Sequence, residues 1–399
     1  MGTAAAAQER ISHWPISRLD VAGAFGDIGV LFPIALALIT LNHLNPTAVF
    51  LTAGLTYILA GRYFQIPIPV QPFKAVAAIA LALSLKPSEI ASAGLLMGIL
   101  LALVGLTNVA GWLARLFSRP IVRGIQLGLG MLLALEGLRM IFGPKSEMVF
   151  PGPGTIQGWM LGMAGAALLM LFLRSRRFPA ALALLAAGVA LGVMAHFTAV
   201  KELRLGPLPL EILHPRIPEL RRVLLLLVVP QFALTFGNSI VATEETARIL
   251  YGEQARRVTA KALSLSIGVT NLISGMLISA PTCHGSGGVT AHYKFGGRTQ
   301  KSNYIIGSCC LLLALFGRSA ATLLVLIPTA ILGVFLAFVG IQHATYIRDI
   351  LRRPPALAVA LLVGFVSLAT TNLTYGFLAG FGLEGIFLLL RRHAAQIGP

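Results

Sequence analysis

Long apolar runs, each close to the length of a membrane-crossing helix and parted by short polar or basic connections, recur from about residue 20 to residue 390. A helix needs ~20 predominantly apolar residues to cross a bilayer. The pattern therefore predicts segments near 20–40, 47–63, 66–85, 88–108, 121–142, 155–173 and 178–198. After a polar stretch come 222–247, 258–278, 280–292, 302–317, 320–342, 356–371 and 373–390. The expected fold class is an all-α polytopic membrane protein with about 14 transmembrane segments arranged as two sets of seven.

Composition removes the soluble alternatives. Of 399 residues, 56% are hydrophobic and 11% charged, against roughly 25% charged in soluble domains, and the spans leave no room for a soluble catalytic or regulatory domain. A net charge of +17 would indicate nucleic acid in a soluble protein. Here the basic residues fall between apolar runs, where they orient the chain, so no nucleic-acid partner is expected and membrane lipid is the surrounding medium.

With both termini in the cytoplasm, Arg62, Arg115, Arg119, Arg174, Arg176 and Arg177 all sit at cytoplasmic connections. So do Arg248, Arg256, Arg257, Lys294, Arg298, Lys301, Arg348, Arg352, Arg353, Arg391 and Arg392. The stretch from His196 to Arg222 is the exception: it carries Lys201, Arg204 and Arg216 yet falls outside, as a proline-rich linker. The expected location is the cell membrane, in a bacterium the inner one. Arg10, His13 and Arg18 precede the first run without a small-residue cleavage site, so no cleavable signal is expected. Cys283, Cys309 and Cys310 lie in apolar surroundings without paired spacing, which predicts packing residues and neither disulfide nor metal. No cofactor is expected.

Seven spans per half reverse the second half's direction, giving an inverted repeat. Phe25-Gly26-Asp27-Ile28 in the first span matches Phe236-Gly237-Asn238-Ser239 in the eighth. At a similar distance beyond each lies a proline-containing interruption, Ile66 to Pro72 in one half and Ser279 to Gly285 in the other. Prolines 67, 69 and 72 exclude a continuous helix. Segments three and ten are thus expected as an extended strand followed by a half-helix, which is tolerated at membrane depth only when buried or lining a cavity.

Two half-helix N-termini facing each other form an anion site by construction. Lys74 in the first turn of one opposes the helix dipole, and a bound anion beside it would explain the placement; the alternative is a structural ion pair with Asp27 or Glu244. Gln71, Thr282, His284 and Ser286 can donate hydrogen bonds without adding charge, Gly287 admits close backbone approach, and Asn238 is placed as a substrate-side amide. Asp27 and Glu244 are ionisable residues inside spans and are candidates for proton coupling, with helix-to-helix hydrogen bonding as the other reading. Glu136 with Arg139, and Glu384, read as structural.

Gly26-Asp27-Ile28-Gly29 with Phe32-Pro33, then Pro69-Val70-Gln71-Pro72-Phe73-Lys74, then Pro230-Gln231 leading to Gly237-Asn238-Ser239, resemble the signature segments of the molybdate transporters, a branch related to the sulfate permeases. The resemblance covers nearly the whole chain. It implies the fourteen-span inverted-repeat fold shared with sulfate permeases and uracil/proton symporters, in which a core domain moves against a gate domain. The implied boundaries are an N-terminus at 1–19, core at 20–120 and 222–318, gate at 121–198 and 319–392, and an extracellular linker at 199–221. The chain ends soon after Leu390, which favours the molybdate branch. No basic residue after the second interruption corresponds to Lys74, so a second positive group is expected only from the helix dipole or His284.

The leading expectation is a secondary transporter for a tetrahedral oxyanion, molybdate before sulfate, with proton coupling and a homodimer as candidates. A nucleobase/proton symporter on the same fold is the alternative, disfavoured by a lysine at the half-helix start. An anion channel and an intramembrane enzyme using Cys283 and His284 rank below these, since adjacent residues rarely face each other and no third orienting group is evident.

Overall fold

The apolar runs fold as helices in the computed structural model, which describes residues 16–107, 109, 118–144, 146–150, 154–173, 180–201, 203–319, 322 and 326–397. Arg10, His13, Arg115, Arg174, Arg176, Arg177 and part of the 320–342 segment lie outside the described residues.

The first run is two helices. In α1 (Arg18–Ala24), Ser17 and Asp20 cap each other's backbone N–H groups. The chain then breaks at Phe25–Asp27 and resumes as α2 (Ile28–Asn42). Helix α3 (Pro46–Phe64) starts with an Asn45 cap and proline at its first position, and stops at Gln65 with φ 62°. An extended stretch follows, ending in strand β1 (Gln71–Pro72), and then the ten-residue helix α4 (Lys74–Leu83). Next are α5 (Pro87–Leu106), α6 (Arg119–Phe142), a hairpin of β2 (Met148–Val149) with β3 (Thr155–Ile156), α7 (Gly158–Phe172) and α8 (Ala180–Ala195).

The second half opens with one long helical rod, α9 (Glu219–Arg257). Two π segments interrupt its α geometry, Leu224–Val228 and Thr235–Val241. Helix α10 (Ala260–Met276) leads to strand β4 (Thr282–Cys283), the nine-residue α11 (Ser286–Lys294) and α12 (Lys301–Ala314). The chain closes with α13 (Thr329–Ala344), a 3₁₀ turn at Thr345–Ile350, α14 (Pro354–Thr370) and α15 (Leu373–Ile397). Five described helices, α5, α6, α9, α13 with its turn and α15, are long and apolar enough to cross a membrane. Several other apolar runs form shorter helices.

Helices pair across the halves: α3 packs on α12, α5 on α10, and α6 on α13 and α14. Small residues allow the close contacts expected between apolar helices in lipid; a Cβ at Gly130 of α6 would fall 2.5 Å from the Gly340 carbonyl of α13. The linker is tied to helix ends, with Leu208 N donating to Thr47 Oγ1 (2.9 Å), Leu213 N to the Met276 carbonyl (2.8 Å) and Asn45 Nδ2 to the Pro209 carbonyl (2.8 Å).

Candidate anion site

The two interruptions meet. Strands β1 and β4 pair antiparallel, with Gln71 opposite Cys283 and Pro72 opposite Thr282, and Phe73 N donates to the Pro281 carbonyl at 2.8 Å. So short a ladder leaves backbone groups in need of partners, since a buried unpaired N–H or C=O is costly. Two buried asparagines supply them. Asn303 accepts from Ile68 N (3.0 Å) and donates to the Ile68 and Tyr57 carbonyls (2.9 and 3.0 Å). Asn271 accepts from Thr282 N (2.8 Å) and donates to the Thr282 carbonyl (2.7 Å). Each amide side chain imitates the edge of a missing neighbouring strand, which makes extended backbone tolerable in an apolar core.

Both strands run directly into helices that lack a side-chain cap. The first orphan amides of α4 are met from α9, where Gln231 Oε1 accepts from Ala75 N (3.0 Å) and Val76 N (3.3 Å) while its Nε2 donates to Thr235 Oγ1 (2.8 Å). Sequence reasoning quoted Gln231 only as part of a motif; its capping role depends on a neighbouring helix.

Three predicted site residues form one buried chain. Lys74 Nζ donates to Gln71 Oε1 at 2.5 Å, and Gln71 Nε2 donates to both oxygens of Asp27, at 2.6 and 2.8 Å. Lysine, amide and carboxylate are 4%, 2% and 3% exposed. Among the described residues no carboxylate lies within 4 Å of Lys74 as an ion pair; the amide stands between the charges. Gln71 also lies against the start of α11, since a Cβ at Gly285 would fall 2.5 Å from its Oε1 and one at Gly288 2.7 Å from its Nε2.

On the other side, Ser286 Oγ donates to Asn238 Oδ1 at 2.9 Å. Asn238 belongs to the second π segment of α9, and Asp27 to the break between α1 and α2. The matched Phe-Gly-Asp/Asn motifs therefore both lie where regular α geometry fails, as π segments do at functional positions. Gly287 is exposed, and among the described residues beyond its own helix the Tyr346 hydroxyl is what a Cβ there would approach, at 3.4 Å.

The remaining predicted residues have other partners. His284 Nδ1 is 2.8 Å from the Pro69 carbonyl, which can only accept, and Nε2 is 2.8 Å from Ser266 Oγ. Both ring nitrogens are engaged by protein, so the imidazole braces one interruption against the other. Thr282 contributes its backbone to β4 and to Asn271. Glu244 accepts from Arg248 Nη2 (2.5 Å) and Ala260 N (2.8 Å), joining α9 to the start of α10.

Tyr346 leads to a cation that sequence reasoning missed. Arg123 of α6 lies over its ring, 5.5 Å from the centroid. In the sequence Arg123 lies just inside the predicted 121–142 segment, and nothing local connects it with residue 346.

A family model described as molybdate transporter of MFS superfamily matches residues 20–133 and 223–342, which include Asp27, Gln71, Lys74, Asn238, Ser286 and Gly287. The chain belongs to the molybdate transporter family. This family member is 30% identical to Molybdate transporter 2 of Arabidopsis thaliana, over 93% of its own length and 87% of the relative's. It is 26% identical to a probable sulfate transporter of Mycobacterium tuberculosis, over 94% of its length and 71% of the relative's. In fold the molybdate transporter family member is similar to the transmembrane domain of the cyanobacterial bicarbonate transporter BicA, with TM-score 0.65 at 17% identity, covering 91% of this chain and 97% of that one. It is a helical multi-pass membrane protein with a transporter fold.

Proposed function

We propose that the protein is a secondary transporter that moves molybdate, a tetrahedral dianion, by alternating access, with the anion held between the N-termini of α4 and α11. The observation that carries this reading is the antiparallel β1–β4 pairing beside a buried Lys74. It brings two helix starts, each worth roughly half a positive charge, to a single buried amide and ammonium. Oxyanions suit backbone N–H donors at helix starts; with Ala75 N and Val76 N of α4 held by Gln231, those donors come from the start of α11 and α4 contributes chiefly its dipole and Lys74. Nucleobase ring N–H groups need a free acceptor instead, and here both oxygens of the Asp27 carboxylate already accept from Gln71 while Lys74 adds a cation.

The reading includes fourteen spans in two inverted sets of seven, both termini cytoplasmic, a core at 20–120 and 222–318, a gate at 121–198 and 319–392, and an external linker at 199–221. The packing supports it. An inverted repeat would exchange the α3–α12 contact with the α5–α10 contact, and would return β1–β4 and α6–α13 to themselves; all four contacts occur. Major-facilitator halves are instead related by an axis along the membrane normal, to which an antiparallel strand pair at the repeat interface does not correspond.

Proton coupling enters through Asp27. While its carboxylate is ionised, it offsets Lys74 through Gln71. Protonation would leave the ammonium uncompensated and ready for an anion, so proton and oxyanion would enter together. Sulfate is the second reading, supported by the kinship with a probable sulfate transporter. Uptake by liposomes containing only this protein separates the two: molybdate should accumulate and excess sulfate should compete weakly. No molybdate uptake or binding would refute the proposal; stronger uptake of sulfate would favour the second reading.

A further inference from the structure

We infer that Arg123 supplies the second positive charge for a bound dianion, held in reserve by Asp349 on the wall opposite α11; the inference deepens the oxyanion reading above and rests on it. The charge count at the helix starts is incomplete. While Asp27 is ionised it balances Lys74 through Gln71, and two helix ends together offer roughly one positive charge, leaving about one charge of an arriving dianion unmatched until a proton reaches Asp27. Burying unmatched charge is costly, so a further cation has work to do here.

Arg123 is built for exchange. Its Nε lies 3.0 and 2.9 Å from the two Asp349 oxygens, its Nη2 is 2.5 Å from Oδ2, and its Nη1 donates to buried Gln126 Oε1 at 2.9 Å. The guanidinium lies over Tyr346, whose hydroxyl faces Gly287 at the start of α11. Asp349 also binds Arg119 through Nε at 3.1 Å and Nη2 at 2.7 Å. Arg123 can therefore leave the carboxylate without stranding it, because Arg119 remains. The pair is also part-exposed, its side chains 22% and 27% accessible, so separating it does not carry the penalty of stranding a buried charge.

The exchange has a direction. An arriving dianion competes with Asp349 for Arg123, and the guanidinium's fork matches two oxyanion oxygens at once. Arg123 comes from α6 and Tyr346 from the turn after α13, whereas Gly287 belongs to α11. Drawing the guanidinium to the anion pulls these elements together, so closure is favoured by charge two over charge one. Arg123 is thus a specificity-determining residue that reads the charge of a tetrahedral guest.

The test is isothermal titration of the purified full chain with molybdate and with perrhenate, a tetrahedral monoanion, alongside liposome uptake and thermal stability. Arg123→Gln should lower molybdate affinity by about tenfold, the size of a lost hydrogen bond to a charged group, and leave perrhenate affinity nearly unchanged. Asp349→Asn should act oppositely, tightening molybdate binding while slowing its uptake. An R123Q protein that keeps the wild-type preference for molybdate overturns the inference. So does a common weakening of both anions in R123Q and D349N with parallel loss of stability, which would mark a structural ion pair. If R123Q does not fold, D349N decides, and unchanged or weaker molybdate binding overturns it. Wild-type protein that binds neither anion removes the oxyanion reading and this inference together.

Discussion

Adjacent glycines at the start of α11 allow substrate contact and packing to be separated with one methyl group each. At Gly288 a Cβ would fall 2.7 Å from Gln71 Nε2 and would also overlap the ring of Pro69. Neither neighbour can move freely, since Gln71 holds Asp27 and Lys74, so Gly288→Ala should destabilise by the ~1–3 kcal/mol typical of overpacking. At Gly287 the nearest neighbour would be Tyr346 Oη at 3.4 Å, an ordinary contact. Gly287→Ala should therefore leave stability nearly unchanged while its methyl occupies the space a bound anion needs. Losing one close amide-to-anion hydrogen bond costs ~1.5–3 kcal/mol, or about ten- to hundredfold in affinity. Thermal melting of both purified variants, each with and without molybdate, followed by liposome uptake, measures the two effects independently. A Gly287→Ala protein with wild-type affinity would place the anion elsewhere, and a Gly288→Ala protein as stable as wild type would contradict the packing on which the site is built.

Lys74→Ala should reduce molybdate uptake at least tenfold while folded protein persists in the membrane, since Gln71 keeps both of its bonds to Asp27 when the ammonium is lost; unchanged affinity would take Lys74 out of the site. Asp27→Asn should abolish the stimulation of uptake by an imposed pH gradient, and a variant that still follows the gradient would move coupling to another group. Asn303→Ala should cost about 2–6 kcal/mol, the penalty for leaving the buried N–H and carbonyl of Ile68 without partners, read as loss of thermal stability; a change below about 1 kcal/mol would mean that the extended segment finds other partners.

Much of this architecture is legible because proline and apolar length are blunt signals. The prolines at 67, 69 and 72 announce an extended stretch, and Lys74 behind them is conspicuous in so apolar a run. Matched Phe-Gly-Asp/Asn motifs locate both irregular spans, although they do not disclose that one is a clean break and the other a π segment, because both geometries depend on packing. The functions of side chains engaged at long range stay hidden. His284 looks like a donor to the guest but is consumed by Pro69 and Ser266, and Glu244 looks like a buried proton carrier but caps α10. Gln231, Asn271 and Asn303 are ordinary amides until the backbone they satisfy is in place, and Arg123, at the start of the 121–142 run, carries no signal of its own until Tyr346 appears beneath it.

The wide turn at Thr235–Val241 in α9 also acts as a phase shifter. Accommodating one additional residue advances everything after it by about 100° around the axis relative to an uninterrupted α-helix. The stretches on either side of it can thus present differently oriented faces to their surroundings, one crowning α4 through Gln231 and the other serving α10 through Glu244.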